Sequence, residues 1–363
     1  MNNTLTINYN NKPAYDIILE QGFAKLAEKL ELLGMKNRRF MIISDSNVSK
    51  LYLTEVNRIL CTISKEVYDY TFPAGETNKN LDTVSNCYEK LIQLSFDRND
   101  VLIALGGGVV GDLTGFVAAT YLRGVRFIQV PTSLLAMVDS SIGGKTGVDF
   151  KAYKNMVGAF HQPQLVYMNL STLLSLSNRE FFSGMGEIIK HGLIKNIEYY
   201  DWLKLHREGI SQRKYEILNE MIWQSCLIKK KVVEEDPKEQ GERALLNYGH
   251  TIGHSVEKLM NFTRLHGECV CIGMAAASYL SLQRGYLTLE QYHDIISTIR
   301  LFEQPVTAQG LNVVEIYEVT KLDKKMDSDK IRFVLLQEVG DAVIDSTVSK
   351  EEMLAAIRSI MEG

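Results

Sequence analysis

The chemistry this chain could perform is first visible in three histidines and a glutamate. His250 and His254, in NYGHTIGH, lie one helical turn apart, and His266 opens HGECV. Glu187 and Lys190, in GMGEIIKHG, fall at i and i+3 on one face of another helical stretch. A carboxylate with imidazoles is a Zn²⁺ ligand set that leaves coordination positions open. A helical histidine pair alone is more often a surface or structural feature. Here glycine stands beside each histidine (Gly249, Gly253, Gly267), and small neighbours clear room for a ligand. Cys269 and Cys271 are rival ligands, although their alternation with apolar residues equally suits core packing, the usual fate of a buried free cysteine.

A second cluster is the glycine run Gly106-Gly107-Gly108-Val109-Val110-Gly111-Asp112. It spells GxGxxG directly after the strand-like VLIAL and at the start of a helix. Glycines let backbone approach a pyrophosphate, and the free N–H groups of a helix start favour negative charge. A tight strand-to-helix turn would use the same residues. The run follows a third strand rather than a first, and the next strand, RFIQVPT, ends without an acid, so the pattern reads as nucleotide binding outside the standard dinucleotide arrangement. Downstream, Lys145 sits in a glycine-bounded stretch and Lys154-Asn155 opens the next segment. Each lysine alone reads as a solvated loop charge; with Asp139 they read as an oxyanion-binding surface.

These residues need elements to hold them. Through about residue 170, β-branched runs (RFMIISD, EVYDYTF, VLIAL, FIQVP) alternate with helical stretches, which predicts βαβ units and an α/β, Rossmann-like parallel sheet. LTINY and YDIILE predict a hairpin or flanking strands at the edge. Beyond it the apolar spacing becomes helical, with one further hairpin predicted near RFVLLQEVG. The expected organisation is an α/β domain over 1–170 and a mainly helical domain over 171–363, with a ligand cleft where they meet.

Composition narrows the function classes. The 363 residues carry a net charge of −4, with 45% hydrophobic and 23% charged residues, which excludes a disordered scaffold. Weak acidity argues against a nucleic-acid platform and requires any anionic ligand to be met by local cations. No apolar run approaches the roughly 20 residues that span a bilayer, so no membrane partner is expected. The N-terminal stretch lacks the pattern of a signal peptide. Five scattered cysteines without a CxxC pair suit reduced thiols in a cytoplasm.

In this order and spacing, GGGVVGDLTGFVAATYLRG, VPTSLLAMVDSSIGGKTGVD, KNMVGAFHQP, GMGEIIKHGLI, ALLNYGHTIGH and HGECVCIGMA closely resemble the 3-dehydroquinate synthase family. The resemblance covers nearly the whole chain and is densest over 101–274. It implies a cytoplasmic, homodimeric carbon–oxygen lyase of the shikimate pathway that uses NAD and Zn²⁺ or Co²⁺. The substrate would be 3-deoxy-D-arabino-heptulosonate 7-phosphate, and the products 3-dehydroquinate and phosphate. The implied route is transient oxidation by NAD⁺, phosphate elimination, re-reduction and an intramolecular aldol closure.

Carried over residue by residue, the metal ligands fall on Glu187, His250 and His266, and His254 becomes a proton-handling neighbour. The NAD contacts fall on Asp45 and Asn47, on Glu76 and Lys79, on Gly106 to Asp112, and on Thr132 and Ser133. Lys145 and Lys154 are shared with the substrate, and a stretch with Thr172 and Ser175 closes over the cofactor. Substrate positions fall on Asp139, Lys145, Lys154, Asn155 and Lys190. Further along they fall on Lys229, Arg243, Asn247 and either Lys324 or Lys325. Arg123 reaches the partner subunit's site. Met185-Gly186, SLSNRE and Asn169 depart from the usual pattern at positions that are neither ligands nor cations. The rivals on related folds are a sugar-phosphate cyclase of secondary metabolism, a metal-dependent polyol dehydrogenase and a non-catalytic homologue. Retention of Lys229, Arg243 and Asn247 together favours the acidic shikimate substrate.

Overall fold

The computed structural model describes residues 3–151, 153–239, 241–324 and 331–361. The chain forms two compact units, Met1–Leu176 and Ser177–Gly363. Along the first run β1 (Thr4–Tyr9), β2 (Lys12–Glu20), α1 (Leu26–Leu32), β3 (Phe40–Asp45), α2 (Thr54–Leu60) and β4 (Val67–Phe72). There follow α3 (Leu81–Gln93), β5 (Val101–Gly106), α4 (Gly108–Thr120), β6 (Arg126–Pro131), β7 (Lys145–Phe150), β8 (Tyr153–Phe160) and β9 (Leu165–Asn169).

Seven of these strands form one sheet in the order β1-β2-β9-β6-β5-β3-β4. All neighbours are parallel except the β1–β2 hairpin at the edge. Strands β3 and β5 are apolar on both sides because helices cover both faces. Ile42, Ile103 and Ile128 face α1 and α2, whereas Met41, Ile43, Leu102 and Phe127 face α3 and α4. The chain leaves β3 for β4 on one side and returns to β5 on the other. The carboxyl ends of β3 and β5 therefore flank a topological switch point, the usual ligand crevice of an open α/β sheet.

The sequence reading named no strand over β7, β8 or β9, although β9 is the strand that joins the β1–β2 hairpin to β6. Lys145, expected in a loop, is the first residue of β7, which pairs with β8 as a separate antiparallel hairpin. Gly147 and Gly158 face each other across it, and a Cβ on Gly147 would lie 2.8 Å from the Val157 carbonyl oxygen. The glycines that look like loop punctuation are there to let two backbones approach.

The second unit contains α5 (Asn178–Lys195), α6 (Ile197–Leu205), α7 (Arg207–Ser211), α8 (Tyr215–Glu235), α9 (His250–Leu259), α10 (His266–Gln283) and α11 (Leu289–Leu301). It continues with α12 (Val313–Lys324), the hairpin β10 (Phe333–Glu338) and β11 (Asp341–Asp345), and α13 (Lys350–Ser359). Helix α10 is the hub, packing on α5, α9, α11, α13 and β10. It is buried nearly all round, which an apolar stretch with Gly267, Gly273 and three consecutive alanines permits.

Its crossings are tight. A Cβ on Gly186 of α5 would lie 2.8 Å from the Gly267 carbonyl oxygen, and one on Gly253 of α9 would lie 2.8 Å from the Cys269 carbonyl oxygen. The glycines beside the histidines thus let three helices touch along their backbones. They do so in place of the ligand space that the sequence suggested.

Candidate active site

Glycine-mediated crossings bring Glu187, His250 and His266 together. Glu187 projects from the middle of α5, His250 is the first residue of α9, and His266 is the first of α10. Gly249, ahead of His250, has φ +81°, a left-handed turn that aims the helix start and that glycine adopts at little cost. At the other crossing, Gly267 N–H donates to Ser183 Oγ of α5 at 3.2 Å. An Arg179–Glu268 fork, at 2.7 and 2.9 Å, ties the beginnings of α5 and α10.

Glu187 is fully buried, and neither carboxylate oxygen accepts a hydrogen bond of ordinary geometry. Its neighbours are the Lys190 ammonium, in ion-pair contact with Oε2, and two imidazoles. His250 Nε2 lies 3.6 Å and His266 Nε2 3.9 Å from Glu187 Oε1. One ligand atom from each of the three residues fits within a 4.8 Å span. Burial first, then the charges of Lys190 and the neighbouring imidazoles, hold His250 well below the usual histidine range. It is therefore neutral at physiological pH, the form that ligates metal.

His254 lies one turn along α9 and is exposed; it is absent from this triad. It belongs to a second grouping with Glu257 and His266, also within 4.8 Å. The rival cysteines belong to neither grouping. Cys269 and Cys271 are fully buried in α10, and Cys271 Sγ packs 3.1 Å from where a Cβ on Gly186 would be. Burial, then the nearby Glu187, push the Cys271 thiol well above its ordinary range, so it stays a protonated packing group.

Three of the cations read from the sequence in this unit are buried: Lys190, Lys229 and Arg243. Lys190 is enclosed beside Glu187, and Lys229 is the one buried member of its Lys-Lys-Lys run, with Lys230 half-buried and Lys231 exposed. Arg243 is buried in a short turn over Glu242–Asn247 that packs on α8, and it donates to the Pro237 carbonyl at 2.8 Å. Asn247 donates to Glu239 at 2.9 Å. Lys324 ends α12; Lys325 lies outside the described residues.

In the first unit, the expected nucleotide residues collect at the switch point. Asp45 ends β3 and accepts from the Asn47 and Val48 N–H groups at 2.8 and 3.0 Å. Gly106 ends β5 and accepts from Thr132 N–H, just beyond β6, at 2.9 Å. Gly107 caps α4 with no side chain closing the helix start, so the first N–H groups of α4 have no side-chain acceptor. Ser133 and Ser140 hydroxyls line the space where Cβ atoms on Gly107 and Gly108 would stand, at 3.4 and 3.1 Å.

Beside it is a charged network. Lys79 is buried and donates to Asp112 at 2.7 Å and to Asn155 at 2.6 Å, with Glu76 at 3.9 Å. Lys154 pairs with Glu76 at 3.5 Å, which binds the β8 hairpin to this cluster. Asp139 is half-buried and Lys145 exposed. Thr172 and Ser175 lie in and just after a short turn over Leu170–Leu174, where Ser175 meets the Tyr52 hydroxyl. Arg123 is exposed, in a turn where Leu122, Arg123 and Gly124 all have positive φ.

Similarity to known proteins matches this geometry. Family models described as 3-dehydroquinate synthase N-terminal and C-terminal match residues 69–183 and 184–326. The chain belongs to the 3-dehydroquinate synthase family. It is 39% identical over 353 residues to the 3-dehydroquinate synthase of Acetivibrio thermocellus, covering 97% of this chain and 98% of that one. It is 43% identical over 352 residues to that of Streptococcus suis, with 96% and 98% covered. Among solved structures, a 2-epi-5-epi-valiolone synthase from Streptomyces hygroscopicus subsp. jinggangensis, with NAD⁺ and Zn²⁺ bound, superposes with a TM-score of 0.88. It is 27% identical, with 98% of this chain and 99% of that one covered.

Within a 3-dehydroquinate synthase family frame, one buried group escaped the sequence reading. Glu257, on α9, is buried and its Oε2 lies 3.4 Å from His266 Nδ1. Its signal was present: 250, 254 and 257 share one face of a helix.

Proposed function

We propose that this chain is the 3-dehydroquinate synthase of its cell, converting 3-deoxy-D-arabino-heptulosonate 7-phosphate to 3-dehydroquinate and phosphate. The observation that carries the reading is the fully buried Glu187 carboxylate, paired with Lys190 through Oε2 and faced at Oε1 by two imidazole Nε2 atoms, in a chain of this family. The Lys190 ammonium offsets the carboxylate's charge at Oε2, and the O,N,N donor set on the Oε1 side, with open positions, suits Zn²⁺ or Co²⁺. Glu187, His250 and His266 would hold the metal. When bound, it supplies Lewis acidity to substrate hydroxyls.

The residues at the switch point fit a nicotinamide dinucleotide. The uncapped start of α4 offers N–H groups to a pyrophosphate, and Asp45 at the end of β3 offers a carboxylate to a ribose. Asn47, Thr132 and Ser133 stand at the same strand ends. Glu76, Lys79, Asp112, Thr172 and Ser175 complete the proposed set. NAD supplies a hydride acceptor that is restored within each turnover.

The remaining roles belong to the chain's own side chains. Lys190, Lys229 and Arg243 would pair with the substrate's carboxylate and phosphate, and their burial strengthens each such pair. Asp139, Lys145, Lys154, Asn155, Asn247 and Lys324 would fix its orientation, while exposed His254 moves a proton. Arg123, on its strained exposed turn, would complete the neighbouring site in a homodimer. No helix among the described residues is long and apolar enough to cross a membrane. Cytoplasmic residence is proposed from the five cysteines, all free, with Cys61 exposed.

Turnover of the heptulosonate phosphate, set beside the same sugar phosphate lacking the carboxylate, tests the assignment. Phosphate release from the acid alone supports it. Preference for the carboxylate-free analogue would assign the chain to another sugar-phosphate cyclase.

A further inference from the structure

The two imidazoles of the triad are held from behind by different partners. His250 Nδ1 lies 3.2 Å from the Tyr248 carbonyl oxygen, and His266 Nδ1 lies 3.4 Å from Glu257 Oε2. A backbone carbonyl can only accept, so His250 Nδ1 carries the hydrogen, and an ionised Glu257 carboxylate sets the same tautomer in His266. The Nε2 lone pair of each ring then points at Glu187. For His250 the acceptor is backbone, and no side-chain substitution can remove it. For His266 it is one buried side chain.

We infer that Glu257 is a positioning residue, fixing the tautomer and ring orientation of His266 so that Nε2 is presented to a metal beside Glu187. This rests on the metal reading proposed above. Carboxylate–histidine–metal relays of this kind orient the ring and raise its basicity, and losing the carboxylate typically weakens metal binding about 10–100-fold. The competing arrangement uses the second grouping, His254, Glu257 and His266, as ligands. It would take His266 through Nδ1, break the bond to Glu257, and leave the Nε2 lone pair of His250 facing Glu187 Oε1 at 3.6 Å with no metal between them. The first arrangement gives every one of these polar atoms a partner.

The test is Zn²⁺ affinity, by competition with a chelating dye, with the visible spectrum of the Co²⁺-substituted protein as a readout independent of turnover. Glu257→Ala should bind one Zn²⁺ at saturation but about 10–100-fold more weakly, with altered Co²⁺ bands. Glu257→Gln keeps the shape and an acceptor oxygen but not the charge, and should lose about tenfold. It keeps the inference testable if the alanine variant fails to fold. His254→Ala should bind zinc as the wild type does. Wild-type affinity and spectrum in Glu257→Gln, or in a folded Glu257→Ala, would overturn the positioning role alone. Loss in both Glu257→Ala and His254→Ala with retention in Glu187→Ala would place the metal in the second grouping and overturn it too. A wild-type protein that takes up no stoichiometric metal would remove the metal reading and the inference with it.

Discussion

Gly267→Ala probes the crossing that builds the site. A Cβ at this position would lie 2.7 Å from the Ser183 carbonyl carbon, closer still to its oxygen, and 2.9 Å from Ser183 Oγ. Carbon contacts settle near 3.5–4.0 Å, so α5 and α10 must separate by on the order of 1 Å. Overpacking of this kind costs about 1–3 kcal/mol of stability. The same movement carries His266 away from Glu187. Ligand sets tolerate only about 0.5 Å before they lose their geometry, so Zn²⁺ affinity should fall by about tenfold or more. Urea unfolding of the metal-free protein and dye competition for zinc measure the two effects. Gly22→Ala is the control, because nothing lies within 4 Å of its Cβ position. If Gly267→Ala matched the wild type in both assays, the glycine crossing would not be what sets the site.

Three further outcomes follow. In the metal-free protein His250 stays neutral while the unfolded chain protonates below its ordinary pKa of about 6.5. Its contribution to stability is therefore full above that pH and is lost as pH falls toward the depressed folded value, by up to about 1.4 kcal/mol per unit; urea midpoints should show this slope, and His250→Gln should flatten it. Lys229→Met should lower kcat/KM for the acidic sugar phosphate by at least about tenfold, from a lost charge-assisted bond of about 1.5–3 kcal/mol, whereas Lys230→Met changes little; equal behaviour of the two refutes the role of Lys229. Heterodimers of Arg123→Ala with Glu187→Ala should regain activity that neither variant has alone, and verified heterodimers that stay inactive count against a site completed in trans.

Most of the sheet was legible because its strands are short, β-branched and buried on both faces, as in Phe40–Asp45 and Val101–Gly106, whereas β9 at Leu165–Asn169 went unread. A GxGxxG directly after such a strand fixes its place at a carboxyl end, whatever the strand's number. The β7–β8 hairpin was not legible: Gly147 and Gly158 read as loop residues until the opposing backbone is known, and the exposed Tyr153, Met156 and Phe160 give no clean alternation. The histidines announced themselves, but the work of their neighbouring glycines depends on which helix crosses which. Spacing gave Glu257 the face of His254, yet only the packing of α10 on α9 brings His266 to it. Cys269 and Cys271 were ambiguous for the same reason, since a cysteine near a histidine is a ligand or a packing group according to the way its helix is turned.

NAD⁺ that is used and restored within each catalytic cycle need not match the substrate in amount. The deciding experiment supplies zinc-loaded protein with excess heptulosonate phosphate and NAD⁺ at one-tenth of the substrate concentration. Complete conversion is expected, with one phosphate released per 3-dehydroquinate formed and no accumulation of NADH absorbance. Conversion that stops when the NAD⁺ is exhausted, with NADH rising in step, would instead make the protein a dehydrogenase.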